Sequence, residues 1–171
     1  MTAPTPNVEL LDRVLAVIKA DFDHWDQSAW RQPAVDGCGT ALCYAGWACE
    51  LDGGIWAAKP DELYSEYLVA RDGEPPEWHH DRVALVFVRD RAQAVLGITD
   101  AEASALFQGS NGLADLRHQV NRIKARAADL NRAASDGERQ PREHPVPCQV
   151  CHRPTWEVSA DCGQHTTAGA S

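Results

Sequence analysis

The carboxyl-terminal part of the chain carries two closely spaced pairs of metal-binding residues. Two residues separate Cys148 from Cys151, and after ten intervening residues Cys162 and His165 repeat that spacing. Four thiolate and imidazole ligands in two short pairs are typical of a closed, tetrahedral structural zinc site. A segment of about 20 residues has too little core to fold alone, so the ion would supply the folding free energy. The sequence therefore predicts a zinc ribbon or knuckle with structural Zn2+.

Three alternatives remain at this end of the chain. The fourth ligand could be His152 or His144 in place of His165. The stretch 148–152, CQVCH, also matches a c-type haem attachment signature, but haem attachment occurs outside the cytoplasm and would leave Cys162 without a purpose. The cysteines could instead form disulfides, or the tail could stay unstructured. Zinc is favoured because paired cysteines in a reducing compartment indicate a metal site before they indicate disulfides.

The amino-terminal residues 1–25 indicate a protein that is not exported. They contain no basic start before an apolar run, and charged residues interrupt their apolar positions every few residues. This pattern fits neither a signal peptide nor a membrane span. We therefore expect a cytoplasmic protein with reduced cysteines and no membrane partner.

The charge distribution argues against a general nucleic-acid-binding protein. The formal net charge of −9 arises entirely within residues 1–80, because acidic and basic groups balance in the rest of the chain. Non-specific affinity for nucleic acid comes from Lys and Arg side chains that neutralise phosphates. We therefore expect a protein partner in preference to a nucleic acid.

Hydrophobic periodicity predicts a mainly α fold, with a compact helical domain before the zinc module. Apolar residues recur at intervals of three and four, which is the spacing of one helix face. The run 83–88 could form a buried strand, but its continuation to Gly97 favours a helix. Thr99 and Glu102 form a capping box before a short helix. The predicted helices cover residues 7–23, 40–51, 61–70, 81–97, 100–107 and 113–130.

The second predicted helix, TALCYAGWACEL at 40–51, is apolar or small on every side. A helix of this composition is buried all round, so we expect it at the centre of the core. Gly46 costs a helix roughly 1 kcal/mol relative to alanine, which indicates that another backbone packs closely against it.

A change in composition places the domain boundary. Residues 134–147, ASDGERQPREHPVP, contain three prolines and almost no apolar residues, which is typical of a linker. The sequence thus predicts a helical domain over residues 1–133, a linker over 134–147 and the zinc module with its tail over 148–171.

Three motifs of the helical domain resemble a group of small proteins from actinobacteria and their phages. That group shares a CGT-x-x-C-x-A-G-W core, which stands here as CGTALCYAGWA at 38–48. A stretch with tryptophan and glutamine precedes the core, here WDQSAW at 25–30, and another follows it, here LGITDAEASALF at 96–107. The resemblance spans residues 22–125. No activity is assigned to the group, so the resemblance implies an actinobacterial or phage accessory protein and leaves its chemistry open.

Cys38 is a candidate nucleophile, because it precedes a predicted helix whose positive end lowers the pKa of a thiol. Gln27 could donate to an oxyanion, and a histidine could act as the base, as in papain-like enzymes. The spacing from Gln27 to Cys38 does not match that family, and no third group is evident that would orient a histidine. We favour core packing for the first three cysteines, with a second metal site as an alternative. The candidate bases are His24, His79 and His80.

The exposed side of the last predicted helix is basic. A nucleic acid, an acidic protein or solvent could face it, and a solvated face is the usual outcome. The candidate binding residues are Arg117, Arg122, Lys124 and Arg126. We predict a protein that acts by binding a host or phage protein. A cysteine-dependent hydrolase or transferase and a nucleic-acid-binding protein are the alternatives.

Overall fold

Two small β-sheets are combined with helices in this domain. The computed structural model describes residues 4–34, 39–59 and 62–138, and within them it has five α-helices, one short 3-10 helix and two antiparallel sheets. The prediction of a mainly α fold is therefore wrong, because the described residues form a mixed α/β fold. Residues 134–138 of the predicted linker belong to the last helix, whereas its residues 139–147 and the zinc module lie outside the described residues.

The chain divides into two units, Met1–Asn131 and Arg132–Ser171. The described part of the second unit is the end of the last helix. The two sheets and the candidate site described below lie in the first unit. No helix among the described residues combines the length and the apolar content needed to cross a membrane.

Helices form as predicted where the amphipathic pattern is long or well capped. Asn7 caps the first helix by accepting a hydrogen bond from the backbone N–H of Leu10 at 3.1 Å. Thr99 and Glu102 form the predicted capping box. The helices are α1 Val8–Ala20, α2 Tyr44–Leu51, α3 Val88–Leu96, α4 Asp100–Leu106 and α5 Leu113–Glu138.

The two sheets are small and antiparallel. In the first, β1 (Arg31–Pro33) pairs with β2 (Thr40–Leu42). In the second, β5 (Val83–Phe87) is the central strand, with β3 (Tyr67–Val69) on one side and β4 (Trp78–His80) on the other. The second sheet is the element that positions the candidate site.

These strands correct three helix predictions. Residues 40–42 form β2, and the helix begins only after Cys43, whose thiol accepts a hydrogen bond from Gly46 N at 3.5 Å. Residues 62–66 form turns, which lead into β3. Residues 83–87 form β5, which runs directly into α3 without a loop. β3 and β5 form strands because they pair with each other. The periodicity within one segment contains no information on such pairing.

The prediction that the second helix lies at the centre of the core is confirmed. α2 packs against both α1 and α3, and five of its eight residues are buried. The hydroxyl of Tyr44 donates to the carbonyl of Leu11 at 2.8 Å, which ties α2 to α1. A Cβ on Gly46 would lie 2.6 Å from the carbonyl oxygen of Trp30, so the expected close backbone approach is also present.

Candidate protein-interaction site

β4 is an edge strand with no neighbouring strand on its outer side in the described part of the chain. It pairs only with β5, and all three of its residues are exposed. At the opposite edge the N–H of Val69 donates to Ile55 at 2.8 Å, and the N–H of Ala57 donates to Tyr67 at 2.9 Å. Among the described residues, other parts of the chain therefore cover β3 and leave β4 open, and an open edge is a template for a further strand.

Four rings form a continuous surface beside β4, which we call the aromatic surface: Tyr64, Tyr67, Trp78 and His80. Side chains two residues apart in a strand share a face, and the rings of Trp78 and His80 lie 6.1 Å apart. The Tyr64 ring lies 4.8 Å from Trp78 and 4.5 Å from His80. Tyr67, on the other side of β5, lies 6.4 Å from Trp78. Trp78 nevertheless remains 44% exposed.

Three residues at or beside this surface have left-handed backbone conformations. Tyr64 has φ of 71°, and the two residues of the turn between β4 and β5, Asp81 and Arg82, have φ of 48° and 71°. A two-residue turn with both residues left-handed matches the twist of a hairpin, but it normally uses glycine or asparagine. Such conformations cost other residues of order 1 kcal/mol or more each, and they collect at functional sites.

A cavity of about 420 Å³ opens beside the rings. The residues that line it include Tyr64, Tyr67 and Trp78 together with the acidic residues Glu62 and Glu66. Both glutamates are exposed. The cavity thus combines aromatic faces with negative charge.

The pKa of Tyr67 reports the negative potential at this place. Burial raises the pKa of its phenol above the ordinary value, and the charges of Glu77, Glu66 and Asp90 raise it further. A phenol becomes harder to ionise when carboxylates surround it. The same potential would attract a cation.

The structure separates the two histidines that were candidate bases on β4. His80 belongs to the aromatic surface, and its Nε2 lies 3.4 Å from a carboxylate oxygen of Asp81. His79 lies on the opposite face of the strand, because successive side chains alternate. The clustering of the rings was missed from the sequence, although the Trp-x-His alternation at 78–80 was a signal for it.

Gln27 has a structural position. Its side chain is buried, and Oε1 accepts hydrogen bonds from Trp25 Nε1 at 3.2 Å and from Tyr44 N at 3.0 Å. Nε2 donates to the carbonyl oxygen of Leu106 at 3.1 Å. This amide therefore joins three separate parts of the fold. Its position favours a structural role for Gln27 over a role as an oxyanion donor.

His24 is paired with a group that could orient it. Its Nδ1 lies 2.6 Å from a carboxylate oxygen of Asp21. A Cβ on Gly39, the residue that follows Cys38 in the sequence, would lie 3.1 Å from His24 Nε2. Cys38 itself lies outside the described residues. Asp21 is thus a group that could orient the imidazole, and it was not evident from the sequence.

Cys43 and Cys49 are core thiols. Both are free and buried. Burial raises the pKa of Cys43 to about 11 and also raises the pKa of Cys49. The Cys49 thiol donates to the carbonyl oxygen of Val88 at 3.5 Å. Neither thiol is activated as a nucleophile at neutral pH.

The basic residues of α5 separate into two kinds. Lys124 Nζ lies 2.7 Å from a carboxylate oxygen of Asp12 on α1. Arg126 Nε lies 2.6 Å from Oε1 of Glu102 on α4. These two cations are thus engaged in holding helices together. The exposed remainder of the predicted binding set is Arg117 and Arg122.

The metal-ligand predictions fall outside what the structure describes. All four predicted zinc ligands, Cys148, Cys151, Cys162 and His165, are among the residues that are not described. Within the described ranges no group of three or more His, Cys, Asp or Glu side chains is arranged to hold a metal ion.

Comparisons of the chain with protein-family models, with curated proteins and with solved structures find no match.

Proposed function

We propose that this domain binds an extended, basic segment of a protein partner along β4 and the aromatic surface. The observation that carries the proposal is the open edge of β4 beside four clustered rings, one of which, Trp78, is 44% exposed. An extended peptide adds to such an edge through main-chain hydrogen bonds, while its side chains enter neighbouring pockets. Trp and Tyr are also enriched among the residues that dominate interface free energies.

Charge complementarity supports a basic partner. The surface is bordered by Glu62, Glu66 and Glu77, and the chain as a whole carries a net charge of −9. Opposite charges across an interface raise the association rate and disfavour acidic competitors. In view of the sequence resemblance, the partner that we propose is a host or phage protein.

The test compares two exposed aromatic residues in the full-length protein. Proteins that co-purify from an actinobacterial host are identified, and their affinities are then measured for wild type, Trp78→Ala and Phe22→Ala. Phe22 is 55% exposed but lies on the 3-10 helix, away from β4, so it serves as the control. Truncation of a central interface aromatic costs about 2 kcal/mol or more, so we expect Trp78→Ala to weaken binding about 30-fold. Equal binding by Trp78→Ala and wild type would overturn the proposal.

We also propose that the protein has the zinc module and a cytoplasmic location. The ligand spacing Cys148-x2-Cys151 and Cys162-x2-His165 supports structural zinc. The free thiols of Cys43 and Cys49 support a reducing compartment.

A second candidate function is favoured by the pair of His24 and Asp21. We propose as the alternative a cysteine-dependent hydrolase or transferase in which His24 accepts the thiol proton of Cys38. Asp21 would orient the imidazole through its contact with Nδ1. The support is the position of His24 Nε2 against Gly39, the neighbour of Cys38 in the sequence.

Labelling with iodoacetamide at neutral pH tests this alternative. An activated Cys38 should react well before the buried Cys43 and Cys49, and His24→Gln should slow its labelling about tenfold or more. His118→Gln, which changes an exposed histidine on α5, is the matched control. Slow labelling of Cys38 that His24→Gln leaves unchanged would exclude the enzyme.

A further inference from the structure

We propose that the cavity beside the aromatic surface binds an arginine side chain of the partner's basic segment. This inference rests on the proposed function, because it names what one part of the binding site recognises. The cavity is lined by three aromatic residues, Tyr64, Tyr67 and Trp78, and by two acidic residues, Glu62 and Glu66. None of the predicted site residues lies in its walls.

A cation suits this cavity for two independent reasons. The faces of aromatic rings attract cations within about 6 Å of the ring centroid. The three ring centroids lie 4.8 to 6.4 Å from one another, so one group beside them can reach all three. The glutamates add the opposite charge on the same side. An anion or an uncharged polar group would gain from neither arrangement.

The combination of aromatic and acidic residues favours a guanidinium group over an ammonium group. A guanidinium is planar, so it stacks on a ring, and its donors form a fork that a carboxylate can accept in two places. An ammonium is a compact, strongly hydrated charge that uses neither feature. The volume of about 420 Å³ also accommodates the aliphatic stem of arginine against Leu63, which is 76% exposed.

Among the described residues, Glu66 is the one acidic residue that both lines the cavity and, after burial and Glu77, raises the pKa of the Tyr67 phenol. Glu62 already accepts a hydrogen bond from the backbone N–H of Lys59 at 3.1 Å, which fixes its carboxylate. Glu66 is therefore the residue to change, because the turn that includes Glu62 is left intact.

The experiment titrates the full-length protein with three blocked tripeptides, Gly-Arg-Gly, Gly-Lys-Gly and Gly-citrulline-Gly, while the indole N–H resonances are followed by NMR. Citrulline has the shape of arginine without the charge. We expect the arginine peptide to shift the Trp78 indole saturably at millimolar concentration. We also expect it to bind about tenfold more tightly than the citrulline peptide. The lysine peptide should bind more weakly than the arginine peptide.

Two variants locate the effect. Glu66→Gln should bring the affinity for arginine close to that for citrulline, whereas Glu9→Gln, an exposed change on α1, should leave the ratio unchanged. Equal binding of arginine and citrulline, equal binding of arginine and lysine, or absence of a saturable shift would each overturn the inference. If Trp78→Ala loses the partner while Glu66→Gln keeps it, the arginine assignment fails and the proposed function stands.

Discussion

At the scale of single residues, buried polar groups show where the fold depends on particular atoms. Gln27 and the ion pair of Arg91 with Glu74 are both buried or nearly so, and both connect parts of the chain that are distant in sequence. A buried donor or acceptor that loses its partner keeps the cost of leaving water. These positions therefore carry the largest expected effects of single substitutions.

Gln27→Ala should destabilise the domain by roughly 2–3 kcal/mol, because it leaves the N–H groups of Tyr44 and Trp25 without an acceptor. Urea denaturation measures the change. Gln108→Ala, an exposed change in the loop before α5, should shift stability by less than about 0.5 kcal/mol. A stable Gln27→Ala protein would show that water replaces the amide without loss.

Glu74→Gln should destabilise the domain by about 3–5 kcal/mol, since it leaves the buried guanidinium of Arg91 without an opposite charge. Arg91 is 2% exposed, and its Nε donates to Glu74 Oε1 at 2.5 Å. Denaturation at neutral pH measures the loss, with the exposed substitution Glu9→Gln as the control. Equal effects of the two variants would contradict the importance of the pair.

The same pair predicts the direction of the pH dependence. Burial alone would raise the pKa of Glu74, but hydrogen bonds from Arg91 and from the backbone of Arg71 lower it below the ordinary value. A carboxyl group with a lowered folded-state pKa adds stability above its unfolded pKa, and this stability is lost as the pH falls through the folded value. Acid should therefore destabilise wild type more than Glu74→Gln. Parallel stability curves below pH of about 4.5 would contradict this expectation.

At the scale of elements, helix propensity and packing oppose each other at Gly46. In an exposed helix, glycine to alanine would stabilise by roughly 1 kcal/mol. Here the new Cβ would lie 2.6 Å from the carbonyl oxygen of Trp30, so α2 would have to shift. We expect Gly46→Ala to lower the melting temperature and Gly112→Ala, which meets only an ordinary contact at 3.5 Å, to be tolerated. A stabilised Gly46→Ala protein would contradict the close approach.

The sequence predicts those elements well whose cause is local. α1, α4 and α5 have caps or a long apolar stripe within their own residues, and all three form. β3 and β5 have a non-local cause, because each is stabilised by pairing with a strand more than ten residues away and by burial of Leu68 and Leu85. A short apolar run fits either type until the pairing partner is known.

The candidate site was harder to predict than the fold for the same physical reason. Tyr64, Tyr67, Trp78 and His80 come from a turn and two strands, and the antiparallel register of the sheet brings them together. Only His80 was singled out from the sequence, and for a different purpose. The pair of Asp21 with His24 was accessible in principle, since only two residues separate them, but its proximity to Gly39 required the fold.

At the scale of the whole molecule, the zinc prediction can be tested without structural information. Purified full-length protein should contain about one zinc ion per chain, and Cys148→Ser or Cys162→Ser should remove it. Elemental analysis gives the answer, and His118→Gln serves as a control because His118 lies on α5, outside the predicted ligand set. A metal-free wild type would contradict the prediction. The absorbance of covalently bound haem would indicate a haem site in place of the zinc site.

α2 lies between α1 and α3, whereas β4 lies at the edge of a sheet, so hydrogen exchange in these two elements reports different motions. Amide hydrogens of α2 reach solvent only when these helices part, so their exchange with deuterium should follow global unfolding. The outward N–H groups of β4 have no strand beside them in the part of the chain that the structure describes, so they should exchange from the native state. A segment seated on β4 would slow exchange there first. One exchange experiment on the full-length protein would thus report occupancy of the edge and opening of the core as independent signals.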